Sequence, residues 1–312
     1  MSRITYVQYR SLFLFIVFCL PYSSAYSQVL TPAPKYPVVF VHGLFGSDRL
    51  LGIFPYWHGI TNKLKEEGVM VYESQVSAAN SSEVRGNQLI IQIEQQLKRF
   101  STIKVNLIGH SYGGLTVRYV AAVRPDLVAS VTTIASPNKG SELADFIQKY
   151  SGGNDTKRAK VMGWATGLVG HLVDLASSGG YPQNGFASMS SLTLAGVEEF
   201  NQRYPQAVPS DCGEGDYHVN GIRYYSWGGV KHWTSFIDPS DMAMWFTGFV
   251  FKEKNDGLVG RCSTHLGQVI RDDYPHNHFD LINKFMGLDG FGGVEPVSIY
   301  LEHMIRLQGD GF

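Results

Sequence analysis

Several things are scarce in this 312-residue chain, and each scarcity removes a class of function. Charged residues make up only 17% of it, 26 basic against 27 acidic, for a formal charge of −1. No cluster of Lys and Arg occurs, so the electrostatic footprint of a nucleic-acid binder is missing. Only three cysteines are present, too few for a disulfide-stapled scaffold. The apolar run from Leu12 to Leu20 is short of the roughly 20 residues that span a bilayer, and polar residues follow it at once. No internal repeat recurs and no long linker divides the sequence.

That short run has a different meaning. Arg3 and Arg10 precede it, and Ala25-Tyr26-Ser27 follows with small residues where a signal peptidase reads. Residues 1–27 are therefore expected to be a secretory signal peptide, cut after Ser27, with Ala25 the alternative and an uncleaved anchor the competing reading. Residues 28–312 then suit one large domain rather than two ordinary ones, and no stable membrane span is expected in them. Loss of Arg3 and Arg10 leaves 24 basic residues against 27 acidic ones. Cys19 departs with the leader, so Cys212 and Cys262 remain as an even pair in an exported chain, which reads as a disulfide. Closing a loop of that length stabilises by about 4 kcal/mol in the chain-entropy account.

From Pro37 to Pro137 short apolar runs alternate with helical patterns, the signature of a mostly parallel central sheet flanked by helices. Pro37–Val41, Val105–Ile108 and Val128–Ile134 read as buried strands. Leu89, Ile90, Ile93, Leu97 and Phe100 recur at helical spacing, with Glu83, Glu94 and Lys98 on the polar side. Residues 151–180 differ: Val161, Met162, Trp164, Leu168, Val169, Leu172 and Val173 form a broad apolar arc between glycine-rich ends. A buried core helix is the plain reading. A lid insertion over an apolar site is the other, and such a cap is expected after the central strands.

Between the strand ending at Ile108 and the helix from Gly114 stands Gly109-His110-Ser111-Tyr112-Gly113. A serine on a tight strand-to-helix turn between glycines is the nucleophile elbow of the α/β-hydrolase fold. Upstream, the first strand runs into His42-Gly43-Leu44-Phe45-Gly46, where that fold places one backbone donor of an oxyanion hole. The residue after the nucleophile gives the other. Leu44 and Tyr112 hold those positions, and His42 alone would read as a strand-end histidine satisfied by local backbone.

A serine nucleophile needs a base and a carboxylate that orients it, in the chain order Ser, Asp or Glu, His. Asn255-Asp256-Gly257 follows the apolar run Trp245–Phe251, which reads as a strand, so Asp256 on the turn after it suits the acid. An ordinary Asp-Gly turn is the bland alternative. His265, His276, His278 and His303 come later. His276 and His278 share a loop ahead of a predicted helix with Leu281, Ile282 and Phe285, and pattern alone does not choose between them.

These blocks, with Cys212-Gly213-Glu214-Gly215, Tyr224-Tyr225-Ser226-Trp227, Asp238-Pro239-Ser240-Asp241 and Asn255–Gly260, resemble the bacterial family I true lipases, the secreted Pseudomonas–Burkholderia–Vibrio type. The likeness runs from Tyr36 to about Leu307. It implies a secreted triacylglycerol lipase, a serine hydrolase acting on lipid esters at an oil–water interface, with a carboxylesterase of soluble esters as the rival. Position by position, it makes Ser111 the nucleophile, Asp256 the acid and His278 the base, with Leu44 and Tyr112 at the oxyanion hole and Cys212–Cys262 the family disulfide. It also implies a structural Ca²⁺ held by the carboxylates of Asp238 and Asp280 and the carbonyls of Lys284 and Leu288, a periplasmic lipase-specific foldase, and type II secretion. Spacing alone would make Asp238 and Asp280 helix caps. Two residues depart from the family pattern: Tyr112 stands where His is common, and Lys284 where an uncharged residue is usual, so its ammonium must point away from the metal.

Overall fold

The computed structural model describes residues 33–44, 46, 49–50, 54–150, 181–238, 240–284 and 293–312. The expected leader, the expected lid at 151–180, Phe285 and Leu288 lie outside the described residues. In chain order the elements are β1 (Val38–Val41), β2 (Arg49–Leu50), β3 (Phe54–Pro55), α1 (Ile60–Glu66), β4 (Val71–Glu73), α2 (Ser82–Arg99), β5 (Val105–His110), α3 (Tyr112–Val123), β6 (Val128–Ile134), α4 (Glu142–Tyr150), α5 (Gly185–Ser190), α6 (Leu194–Arg203), β7 (His218–Val219), β8 (Ile222–Gly229), α7 (Asp241–Gly248), β9 (Gln268–Tyr274) and α8 (Pro296–Gly309).

The main sheet runs β4-β1-β5-β6-β8, all parallel, with β9 also parallel to β8 and the short β7 antiparallel to the start of β8. Parallel strands need helical crossovers, and these cover both faces. This is why β1, β5 and β6 are buried at every position, β1 as an unbroken apolar run and β5 and β6 with Asn106, Ser130, Thr132 and Thr133 set among their apolar residues. Strand alternation divides the core. Val38 and Phe40 face α1 and α8, meeting Ile60, Leu64, Tyr300, Met304 and Leu307. Val39 and Val41 face α2 and α3, meeting Leu89, Ile93, Val117 and Val120. The chain ends of this unit meet as well: the Lys35 amide donates to the Phe312 carbonyl at 2.5 Å, and Phe40 packs on Tyr300.

The α2 stripe forms as the spacing predicts. Ser81 caps it, accepting from the Val84 amide, and Leu89 and Ile93 are buried. Two expectations fail. The run Trp245–Phe251 is not a strand; most of it belongs to α7, which extends from Asp241 to Gly248. Met242, Ala243 and Met244 favour a helix, and Asp241 fixes its start by accepting the amides of Thr234 (2.7 Å) and Ser235. A short apolar run does not distinguish the two by itself. Among the described residues up to Lys284, Leu281 and Ile282 lie in a 3₁₀ turn, Asp280–Ile282, rather than in the expected helix, and Asn283 ends it in the left-handed region (φ 53°).

Candidate active site

In parallel sheets ligands bind beyond the carboxyl ends of the strands, and the candidate residues gather there. Ser111 follows β5 with φ 54° and ψ −128°, a conformation that costs about 1–3 kcal/mol and persists only where the surroundings enforce it. The Ser111 amide donates to the Ile134 carbonyl at 2.8 Å. Gly113 permits the tight turn: a Cβ there would lie 2.3 Å from the Val41 carbonyl oxygen. The loop after β1 lies directly against the elbow, since a Cβ on Gly43 would sit 2.8 Å from that of Ser111.

That loop is clamped peptide by peptide. In the His42–Gly43 peptide, the carbonyl accepts from Arg85 Nη2 at 2.5 Å and the amide donates to the Tyr56 hydroxyl at 2.8 Å. The Gly43 carbonyl meets His42 Nδ1 at 2.9 Å and Arg85 Nη1 at 3.3 Å. A trans peptide is planar, so holding the Gly43 carbonyl also sets the opposite direction of the Leu44 N–H. His42 is thus a structural residue. Its other nitrogen accepts from the Val76 amide at 3.4 Å, and burial, then the charge of Arg85, lower its pKa to about 3. Arg85 is itself buried and lies over the Tyr112 ring (4.7 Å), its pKa lowered by burial to about 10. The Tyr112 hydroxyl donates to the Asn80 carbonyl at 2.7 Å, and its backbone opens α3. The first amides of a helix have no partner within it.

The structure brings Asp256 and His278 together. Asp256 Oδ2 is 2.8 Å from His278 Nδ1, its Oδ1 accepts the Leu258 and Val259 amides at 2.9 and 2.8 Å, and the His278 amide donates to the Asp256 carbonyl at 3.0 Å. Both side chains are buried. Because the carboxylate only accepts, Nδ1 holds the proton and Nε2 is left as a base. The His278 ring lies against that of His110, the residue before Ser111, at 4.6 Å between centroids. Among the described residues no hydrogen bond joins the Ser111 hydroxyl to His278; such bonds are often long before substrate binds. The other histidines serve elsewhere: His276 faces the Val294 carbonyl (2.8 Å), His265 bonds Asp272 (3.0 Å), and His303 bonds Thr132 (2.8 Å).

The Asp256 and His278 loops share a brace in α7. Gly257 packs on Met244, and Asp241 accepts from Asn277 Nδ2 at 2.7 Å. Asn277 Oδ1 in turn receives the Phe279 and Asp280 amides. Neither Asn277 nor Arg85 stood out in the sequence. Arg85 had a signal, since it falls four residues before Leu89 on the apolar stripe of α2. Asn277, a polar residue in a loop, had none.

The proposed cation ligands are electrostatically unsettled. Asp238 Oδ1 accepts from the Ser240 amide (2.6 Å) and hydroxyl (2.7 Å), as a cap would, but Oδ2 is buried with no partner among the described residues. Burial raises the pKa of Asp238, and raises Asp280 to about 7 with the neighbouring charges of Asp238 and Asp241 adding to it. A buried orphan oxygen and two carboxylates resisting ionisation are what a hard, oxygen-seeking cation relieves, so these residues fit Ca²⁺. The Lys284 ammonium lies on the Tyr56 ring face (4.4 Å), and burial alone lowers its pKa to about 7. Cys212 and Cys262 are bonded, with Cα atoms 4.9 Å apart.

A serine elbow on a parallel sheet, with a carboxylate–histidine pair at the same edge, defines an α/β-hydrolase, and the alpha/beta hydrolase fold family matches residues 36–238. The chain is 49% identical to a triacylglycerol lipase of Vibrio cholerae, over the full length of both. It is 42% identical to that of Pseudomonas fragi (89% of this chain, 97% of the relative) and 38% identical to that of Burkholderia plantarii (89% and 87%). Its fold is similar to Staphylococcus hyicus lipase, with a TM-score of 0.58 at 19% identity (90% of this chain, 98% of that one). The chain belongs to the family of bacterial triacylglycerol lipases.

Proposed function

We propose that this lipase hydrolyses acylglycerol esters through Ser111, His278 and Asp256. His278 Nε2 takes the Ser111 proton as Oγ attacks the ester carbonyl carbon. The Leu44 and Tyr112 amides receive the developing oxyanion. As the ester C–O bond breaks, the proton on Nε2 passes to the departing glycerol oxygen and an acyl-serine remains. A water then gives its proton to Nε2 and attacks that ester, releasing the fatty acid and restoring Ser111. Asp256 holds the His278 tautomer and stabilises its charged form. The observation that carries this reading is the buried Asp256–His278 bond at 2.8 Å, at the sheet edge where Ser111 stands on its strained turn.

A lipid substrate is supported by the surface next to this edge. Phe236, Ile237, Met242, Trp245, Phe246 and Phe249 are exposed in α7 and its flanks, just ahead of Asp256. Apolar patches of this kind suit contact with an oil phase rather than with water. Ca²⁺, when bound by Asp238, Asp280 and the carbonyls of Lys284 and Leu288, supplies positive charge that ties the His278 loop to the start of α7. The Cys212–Cys262 bond and the leader-like residues 1–27 support secretion, and no helix among the described residues is long and apolar enough to cross a membrane. A periplasmic foldase and type II export follow from family membership as part of this proposal.

The test is hydrolysis of emulsified long-chain triacylglycerol beside a soluble short-chain ester, by wild type and Ser111→Ala. Emulsion activity that falls by about 10⁴-fold or more in the variant is expected. Activity confined to the soluble ester would make the protein a carboxylesterase. Equal activity in both forms would remove Ser111 from the chemistry.

A further inference from the structure

Three buried groups outside the Asp256–His278 pair form a continuous chain that ends on the His278 carbonyl. The Gly43 amide meets the Tyr56 hydroxyl at 2.8 Å, that hydroxyl meets His110 Nδ1 at 2.7 Å, and His110 Nε2 meets the His278 carbonyl at 3.0 Å. Tyr56, His110 and His278 are 4%, 0% and 1% exposed, so water does not complete these bonds.

The direction of every bond follows from the two ends. A carbonyl only accepts, so His110 Nε2 must hold a proton. A backbone amide only donates, so the Tyr56 oxygen accepts from Gly43 and has its own proton to give. A His110 ring protonated on both nitrogens would leave that phenol proton without a partner and bury a charge with no carboxylate beside it, which is costly. Nδ1 therefore accepts.

On the reading that Ser111 and His278 are the nucleophile and base, we propose that Tyr56 and His110 are positioning residues. They couple the oxyanion loop to the catalytic histidine through one ordered chain: Gly43 N–H to Tyr56, Tyr56 O–H to His110 Nδ1, and His110 Nε2–H to the His278 carbonyl. His110 is also the residue before Ser111, so three separate loops meet at its ring. Hydrogen bonds in series polarise one another, and a chain of one sense holds its members more firmly than isolated pairs. Loss of any link lets the oxyanion loop and the base drift independently, and a displacement of about 1 Å costs on the order of 100-fold in rate.

Tyr56→Phe isolates the link, because it keeps the ring on which Lys284 rests and removes only the hydroxyl. The experiment uses the oxidised, calcium-loaded enzyme with p-nitrophenyl butyrate, a soluble ester that bypasses any interface. The expected result is a kcat lowered by about 10- to 100-fold with KM changed by less than about twofold. Labelling of Ser111 by a fluorophosphonate should still reach completion, but more slowly. In ¹⁵N-histidine spectra, with the His110 resonances assigned by their loss in His110→Asn, wild type should show His110 as the Nε2–H tautomer. Its Nδ1 resonance should move toward that of a free lone pair in Tyr56→Phe. A folded Tyr56→Phe with unchanged kcat would overturn the proposal, as would an Nδ1–H tautomer in wild type. If Tyr56→Phe does not fold, the wild-type tautomer decides. Wild type that resists fluorophosphonate at Ser111 would instead remove the catalytic reading on which the proposal rests.

Discussion

Around His42, Gly43 and Leu44 the buried polar groups are matched: two carbonyls, the Gly43 amide and both nitrogens of His42 have partners within the protein. Around Asp238, Asp280 and Lys284 they are not. One carboxylate oxygen and one ammonium are buried without a hydrogen bond among the described residues, and two carboxyls resist ionisation. The first region is completed by the side chains of Arg85, Tyr56 and His42 and by the Val76 amide, whereas the second keeps buried groups unmatched among the described residues. An oxyanion donor must be in place before charge develops, which a rigid peptide clamp achieves alone. On the proposed reading, a loop held through like charges gains its rigidity from a bound cation.

The sharpest contrast lies between carboxylates. Asp256 is fully bonded, so Asp256→Asn should keep the fold, the amide oxygen still accepting from Leu258 and Val259, while stranding His278 in the wrong tautomer. A fall of about 10⁴-fold in kcat with an unchanged circular dichroism spectrum is expected. A fall below about tenfold would show that the Asp256–His278 bond is structural only.

Chelation should next separate the regions. Stripped of Ca²⁺, the protein should lose hydrogen-exchange protection around residues 234–241 and 277–284 while residues 38–44 and 105–120 keep theirs. Its pH dependence has a definite sign. Asp280, raised to about 7 from an ordinary 3.8, contributes stability that is full below pH 3.8 and lost as pH rises through 7. Lys284, lowered to about 7 from 10.5, contributes stability that is full above pH 10.5 and lost as pH falls through 7. The two losses meet near neutrality, so Tm of the stripped protein should pass through a minimum there, and added Ca²⁺ should abolish the acid limb. A Tm insensitive to both EDTA and pH between 5 and 9 would contradict the comparison.

The smallest effect is a gain. Lys284→Met keeps the aliphatic stem and the backbone carbonyl but removes the buried charge, and should stabilise by about 1–3 kcal/mol in urea titrations. A loss of stability would mean that the Tyr56 face compensates the ammonium in full.

Legibility in the sequence followed the same division. β1, β5, β6 and the elbow were readable because a buried parallel strand is rich in apolar and β-branched residues and the turn after β5 admits few residue types at Gly113. The base was not readable from pattern. His276 and His278 are equivalent as letters in a loop; the family resemblance points to His278, and in the structure the bond to Asp256, made across 22 positions, tells them apart. α7 was misread because aromatic residues that favour strands stand on its exposed side, where packing does not constrain them. Tyr56, His110 and Asn277 act through partners distant in the chain, and local pattern holds no record of such pairings; Arg85 shows only as a charge on the apolar stripe of α2, without its partners.

The meeting of Lys35 with Phe312, and of Phe40 with Tyr300, has a temporal consequence. One face of the central sheet is covered only in part, by α1, until the ribosome has made α8, since Met304 and Leu307 complete the cluster around Phe40 and Ile60. A nascent chain that lacks α8 therefore leaves part of this apolar face unburied. Such an interval exposes the chain to aggregation and protease, so removing residues 296–312 should leave a polypeptide that degrades rather than a smaller enzyme.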